Sequence, residues 1–242
     1  MLFALTLAVT IALSAALREP LRRWPWAFYA LAAAAVLVLL AVPQQALPKE
    51  ASLAMLPLVK KGYVATALFV VVMFVGALPR GGRVDRWMRP VRAQLSIVAC
   101  ILIAGHVIGY LASYLPRLTS GAISGTAVYL GLAAAVVLTA LTAVLGVTSL
   151  QRVKRAMAPG TWKRVQRLAY LFTALLYVHA LLMLLPSALS GGAAAQESAA
   201  AYTVVFAAYL VARLARAWAD RSRDAQTIEE AAPDGDAQAL GA

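Results

Sequence analysis

The sequence predicts an all-α protein built as a polytopic membrane bundle of about seven transmembrane helices. Of its 242 residues, 62% are hydrophobic and only 13% are charged. The mean hydropathy of +0.78 is well above that of soluble domains. The apolar residues also fall into seven separate runs, most of them near the roughly 20 residues that a helix needs to cross a bilayer.

The runs are residues 1–17, 25–43, 62–79, 93–115, 127–149, 166–187 and 200–218. The first run has the length and the small residues of a secretory signal, but it lacks the positively charged amino-terminal region of such a signal. We therefore expect it to be a retained helix.

The basic residues predict the orientation of the bundle. Eighteen of the 22 lysines and arginines lie after the first, third and fifth runs or in and after the last part of the seventh, and the other four are Lys49, Lys60, Lys61 and Arg117. The positive-inside rule then places the amino terminus outside and the carboxyl terminus in the cytoplasm, in the cytoplasmic (inner) membrane, with lipid around the bundle. Because the basic residues form short clusters and no continuous face, no nucleic-acid partner is expected.

The chain has only two histidines, His106 and His179, and each lies inside an apolar run. An ionisable ring in hydrocarbon is costly and therefore indicates a function. His106 comes 14 residues after Arg92 and His179 comes 12 residues after Arg167, at the cytoplasmic starts of their runs. Both rings are thus expected roughly 18 to 21 Å above the inner basic residues, in the outer half of the membrane.

Two neutral imidazoles at equal height suit the axial positions of a b-type haem. Gly105 and Gly109 would let the flat macrocycle approach the helix beside His106. The simpler interpretation is that each histidine only bonds a backbone carbonyl or a hydroxyl within the bundle. A zinc or non-haem iron site is disfavoured, because the apolar runs contain one cysteine and no carboxylate.

The segment from Arg92 to Tyr110, RAQLSIVACILIAGHVIGY, resembles the third core helix of the ferric reductase-like transmembrane domain, particularly its MsrQ (YedZ) branch. In that family an arginine is followed by a histidine and then by a tyrosine, here Arg92, His106 and Tyr110. A second stretch is also similar. It begins with a Thr-Ser pair, Thr148 and Ser149, and continues into a basic loop that contains Gly160 and Trp162. A run like H-R-L-x-Y-L follows, from Gln166 to Leu171, and then a histidine, His179.

The resemblance covers roughly residues 62–187 and implies a six-helix haem-binding core, residues 25–218. An extra helix and basic loop, residues 1–24, would precede it, and an acidic tail, residues 219–242, would be disordered in the cytoplasm. His106 and His179 would be the axial ligands of heme b, with Tyr110 in the haem pocket. The protein is then expected to be the electron-transfer subunit of an oxidoreductase rather than a self-contained enzyme.

The resemblance also implies partners. Electrons would come from a quinol or a reduced flavin and pass to a periplasmic or extracellular acceptor, either a partner reductase or ferric iron. Gln166 stands where the MsrQ branch has an inner histidine, and Arg92 stands where two-haem relatives have the other. One haem is therefore expected. A donor, a quinone or a bound FMN would contact the inner residues Gln166, Arg167, Arg92 and Trp162.

Two other functions stay open at this point. One is a haem-free membrane transporter, although its helices would be expected to carry charged groups along a pathway. The other is a quinone-binding or assembly subunit whose two histidines are structural.

Overall fold

The computed structural model describes residues 2–41, 50 and 60–231, with the backbone alone for residues 224–231. All the regular secondary structure assigned in these ranges is helical, which confirms the predicted all-α class for this part of the chain. The helices are α1 (Leu2–Ala16), α2 (Arg18–Arg23), α3 (Pro25–Ala41), α4 (Tyr63–Ala77), α5 (Arg83–Met88), α6 (Arg92–Thr119), α7 (Thr126–Ser149), α8 (Gln151–Ala156), α9 (Pro159–Gln166), α10 (Leu168–Leu189) and α11 (Ala193–Ala231). A 3-10 turn, Arg89–Val91, leads from α5 into α6.

Four of the described helices, α6, α7, α10 and α11, are long and apolar enough to cross a membrane. Helices α1, α3 and α4 are apolar too, but they have 15, 17 and 15 residues, fewer than the roughly 20 of a typical span. Each of the seven predicted runs coincides with one of these seven helices. The chain is therefore a multi-pass membrane bundle, and the count of seven crossings stays a prediction.

Two helix boundaries differ from the sequence prediction for local reasons. Helix α4 ends at Ala77 because Pro79 holds the preceding Leu78 extended, at φ −66° and ψ 152°. Helix α11 begins at Ala193, seven residues before the predicted run, in an alanine-rich stretch that favours helix. It continues to Ala231, so the predicted disordered tail is helical up to that residue, and residues 232–242 lie outside the described part.

Helix α4 lies at the centre of the bundle, since ten of its fifteen residues are buried. It packs against α1, α6 and α11, and the Phe69 ring meets Phe172 of α10 edge to face, with ring centroids 4.9 Å apart. Helix α7 packs against α6 and α10. The two histidine-bearing helices, α6 and α10, are therefore both contacted by α4 and α7.

The arginine-rich segments meet at one end of the bundle. Arg18 Nε donates to the carbonyl oxygen of Trp87 at 2.6 Å, and Arg216 of α11 donates to the Gly76 carbonyl at the end of α4 at 2.5 Å. The segments after the first and seventh runs thus each contact the third run or the segment after it, as expected if these segments lie on the same side. Lys49, which was assigned to the opposite side, lies outside the described residues.

Candidate functional site

His106 lies on α6 and its ring is held by the chain just before α4. Its Nδ1 is 2.9 Å from the carbonyl oxygen of Lys60. A carbonyl only accepts hydrogen bonds, so Nδ1 carries the hydrogen and the neutral ring keeps its lone pair on Nε2. A Cβ on Gly62 would lie only 3.1 Å from Nδ1. Glycine at this position therefore allows the backbone to approach the imidazole.

His179 lies on α10 and is held in the same way by α7. Its Nδ1 is 2.9 Å from the carbonyl oxygen of Gly131, which again leaves the lone pair on Nε2. A Cβ on Gly131 would lie 2.8 Å from the sulfur of Met183. The close approach of α7 to α10 at the level of His179 therefore depends on glycine.

The two imidazoles have matching environments. Each bonds a main-chain carbonyl at 2.9 Å, and both rings are half-buried. Metal-bound imidazoles commonly donate their second nitrogen to a carbonyl, which fixes the tautomer and the ring orientation. A purely structural histidine would make the same bond. The two roles differ at Nε2, which binds the metal only in a metal-bound histidine. Neither Nε2 has a hydrogen bond from the described residues.

The donor set suits a porphyrin better than a discrete metal ion. The described residues contain no group of three or more His, Cys, Asp or Glu side chains that could hold a metal. Two imidazoles alone leave most positions around an ion unfilled, whereas a porphyrin fills four of them with its own nitrogens. The donor chemistry of these residues therefore fits a haem better than a discrete metal ion.

Three residues predicted around the haem line one cavity together with His106. The cavity has a volume of about 330 Å³ and is lined by Gly105, His106, Gly109 and Tyr110, and the Tyr110 ring centroid is 4.6 Å from that of His106. Among the described residues, α10 contributes nothing to its walls. The cavity thus adjoins His106 without lying between the two imidazoles. Its other described walls are Leu39, Leu40, Lys60, Ser113, Tyr114 and Arg117.

At the arginine-rich end, two predicted donor-side residues fasten α9 to the end of α7. Trp162 Nε1 donates to the Thr148 carbonyl, and Gln166 Nε2 donates to the Thr148 hydroxyl, both at 3.0 Å. Lys154 Nζ lies 4.7 Å from the centroid of the Trp162 ring. Arg167 is exposed. Trp162 and Gln166 therefore have structural contacts that do not depend on a ligand.

Arg92 makes its contacts on a different helix. Its Nε donates to the Val72 carbonyl of α4 at 3.2 Å, and its guanidinium lies against Gly76, where a Cβ would come within 3.1 Å of it. No contact among the described residues joins Arg92 to Gln166, Arg167 or Trp162. The four predicted donor-side residues are thus not brought together into one cluster.

Sequence reasoning missed Gly62 and Gly76, although the signal was present. Gly62, just before α4, and Gly76, on α4, are 14 residues apart, and Arg92 and His106 are 14 residues apart on α6. Gly62 contacts His106 and Gly76 contacts Arg92, as expected where two neighbouring helices run antiparallel. The equal spacing of two glycines and two polar residues could have indicated that the helices pair in this register.

Residues 61–177 match the ferric reductase like transmembrane component family. The ferric reductase-like region contains His106 and ends two residues before His179. An uncharacterized protein of Treponema pallidum (strain Nichols) is 43% identical over 159 residues, which are 65% of this chain and 44% of that protein. The chain thus spans less than half the length of this relative. No solved structure matches significantly.

The family match and the four long apolar helices agree in describing a multi-pass membrane protein. They support a relation to ferric reductase-like proteins and suggest a role in electron transfer within a membrane.

Proposed function

We propose that this chain is a ferric reductase-like electron-transfer protein, with one b-type haem bound between His106 and His179. The observation that carries the proposal is the matched pair of imidazoles. Each has its Nδ1 bonded to a main-chain carbonyl from another segment, at 2.9 Å in both cases, and each keeps Nε2 for a metal. The family match over residues 61–177 supports the same function.

The residues around the pair have defined tasks in this proposal. A bound haem supplies one-electron redox chemistry. His106 and His179 would ligate the iron through Nε2, while the carbonyls of Lys60 and Gly131 hold the rings in place and raise their basicity. The apolar side chains of α4, α6 and α10 would lower the polarity around the haem, which favours the less charged state of the centre.

The inner half of the bundle would hold no second haem. The Arg92 guanidinium lies against Gly76 and has no lone pair to offer a metal. The Gln166 amide is bonded to Thr148. Electrons would therefore enter from a donor at the arginine-rich end: a membrane quinol, a separate flavoprotein or a bound FMN.

The electrons would leave on the opposite side of the cytoplasmic membrane. The acceptor would be ferric iron or, as the MsrQ-like pattern of Arg92, His106 and Tyr110 suggests, a periplasmic or extracellular reductase. In this arrangement the amino terminus is outside and the carboxyl terminus is cytoplasmic.

The test is a reduced-minus-oxidised absorption spectrum of the full-length protein, purified from cells supplied with a haem precursor. We expect low-spin b-haem bands that are lost in His106→Ala and in His179→Ala. Added imidazole should restore part of the bands in each variant, because it can occupy the space left by the ring. That rescue separates the loss of a ligand from a failure to fold.

A colourless wild-type preparation would contradict the proposal. It would favour a haem-free quinone-binding or assembly subunit, in which the bonds from His106 to Lys60 and from His179 to Gly131 serve only to join helices.

A further inference from the structure

One face of α6 carries a row of polar and aromatic side chains from His106 to the end of the helix. Residues 106, 110, 113, 114 and 117 recur at the spacing of a single helix face. The ring centroids of Tyr110 and Tyr114 are 5.8 Å apart, and Arg117 Cζ is 5.9 Å from the centroid of Tyr114. All five residues line the cavity described above.

The cavity extends from the hydrocarbon region to the membrane surface. At 1.5 Å per residue, His106 lies about 21 Å and Arg117 about 37 Å along α6 from Arg92, whereas the hydrocarbon layer is about 30 Å thick. The end of the cavity at Arg117 thus lies in the headgroup region or in water, where Arg117 is exposed. A ligand dissolved in water can reach it without crossing hydrocarbon.

The charge of the cavity selects the ligand. Its described walls include two cationic side chains, Lys60 and Arg117, and no aspartate or glutamate. A planar guanidinium can bind a carboxylate with two parallel hydrogen bonds. The remaining walls include apolar groups and ring faces, namely Leu39, Leu40, Gly105, Gly109, Tyr110 and Tyr114. Such walls suit an organic anion better than inorganic phosphate.

We infer that this cavity is a binding site for an organic carboxylate. The Arg117 guanidinium binds the carboxylate near the membrane surface, and the leucines and the tyrosine rings contact the apolar body of the ligand. The carboxylate has two chemical sources, the propionates of a porphyrin bound at His106 or a separate molecule that enters from the water. The inference goes beyond the proposed function, since the walls of the cavity do not depend on a bound haem.

The experiment measures binding of benzoate to the full-length chain in uncharged detergent by ligand-observed NMR, with benzamide as the neutral ligand of the same shape. We expect benzoate to bind more tightly than benzamide and to weaken as salt is added. Arg117→Gln should raise the Kd of benzoate about tenfold, the loss of about 1.4 kcal/mol.

Lys61→Gln is the matched control. Lys61 precedes Gly62 and its Nζ lies 5.7 Å from the centroid of the Tyr63 ring, but it does not line the cavity. The Kd of benzoate should not change in this variant. Equal binding of benzoate and benzamide, or equal effects of Arg117→Gln and Lys61→Gln, would overturn the inference.

Protein from haem-limited and haem-supplied cells identifies the source of the carboxylate. If benzoate binds both forms, a separate molecule uses the cavity. If it binds only the haem-limited form, and Arg117→Gln lowers haem retention, the propionates occupy it. Binding is measured without the absorption spectrum. A colourless preparation that still prefers benzoate would therefore refute the proposed haem function and leave the carboxylate site standing.

Discussion

The orientation of His106 depends on the absence of a side chain at residue 62. Gly62 is buried against the imidazole and has a φ of +66°, in the left-handed region that side chains disfavour. It comes just before α4, two residues after the carbonyl that accepts the bond from Nδ1. A single glycine thus sets both the position of that carbonyl and the space for the ring.

Gly62→Ala should therefore weaken haem binding and lower the thermal stability. The new Cβ would press on the imidazole, and the left-handed conformation adds about 1–2 kcal/mol of strain. Gly81→Ala is the matched control for strain, since its φ is +76° and no atom lies within 4 Å of the added Cβ. Absorption spectra and melting curves measure the two effects separately.

We expect the haem bands to change in Gly62→Ala and to be preserved in Gly81→Ala. Gly76→Ala should also preserve them, because its Cβ would meet Arg92 instead of a histidine. Equal spectra for all three variants would show that contact with residue 62 does not orient His106.

Among the elements, α4 and α11 are fastened together by arginines. Carbonyls at the end of a helix lack partners within it and attract cations. Arg216 donates to the carbonyls of Gly76 and Leu78 at 2.5 and 2.7 Å, and Arg213 donates to Gly76 at 3.4 Å. The Arg216 side chain is only 9% exposed. These bonds cap the central helix from α11.

Arg216→Met should lower the melting temperature of the protein by removing this cap. A hydrogen bond to a charged group is worth about 1.5–3 kcal/mol, and the methionine keeps much of the apolar stem. The matched variant is Arg221→Met, an exposed arginine further along α11, which should have little effect. Equal melting temperatures for the two variants would contradict a capping role for Arg216.

The contacts of α4, α6 and α9 predict how the haem content responds to a histidine at position 166, where the MsrQ branch has one. Gln166→His should leave the haem content at one per chain, because Arg92 still fills the space beside Gly76. A pyridine haemochrome assay against protein concentration measures the ratio. A ratio near two in this variant would show that Arg92 does not prevent a second haem.

For the whole molecule, the uneven distribution of basic residues predicts which end faces the cytoplasm. Ser190, in the turn after α10, and Ser222, on α11, are exposed at opposite ends of the bundle. Each can be changed to cysteine in a chain whose one natural cysteine, Cys100, is replaced by alanine. A membrane-impermeant maleimide should label Ser190→Cys in intact cells and Ser222→Cys only after lysis. The reverse pattern would invert the orientation.

Much of this architecture can be predicted from the sequence because it depends on long-range composition. Apolar runs indicate the helices, and the rise per residue predicts equal heights for His106 and His179. The partners of these rings could not be predicted, since a main-chain carbonyl at Lys60 or Gly131 has no residue-type signature. The contacts of Arg92 with Val72 and Gly76 could not be predicted either, because they depend on which helices pack together.

The main-chain anchoring of both imidazoles has a consequence for how this protein tolerates sequence drift. A carboxylate anchor would be lost in a single base change, but the carbonyls of Lys60 and Gly131 exist whatever residue stands there. Homologues can therefore diverge at position 60 and keep the same ring tautomer. Comparisons of natural variants at position 60 would then understate how tightly the His106 ring is constrained.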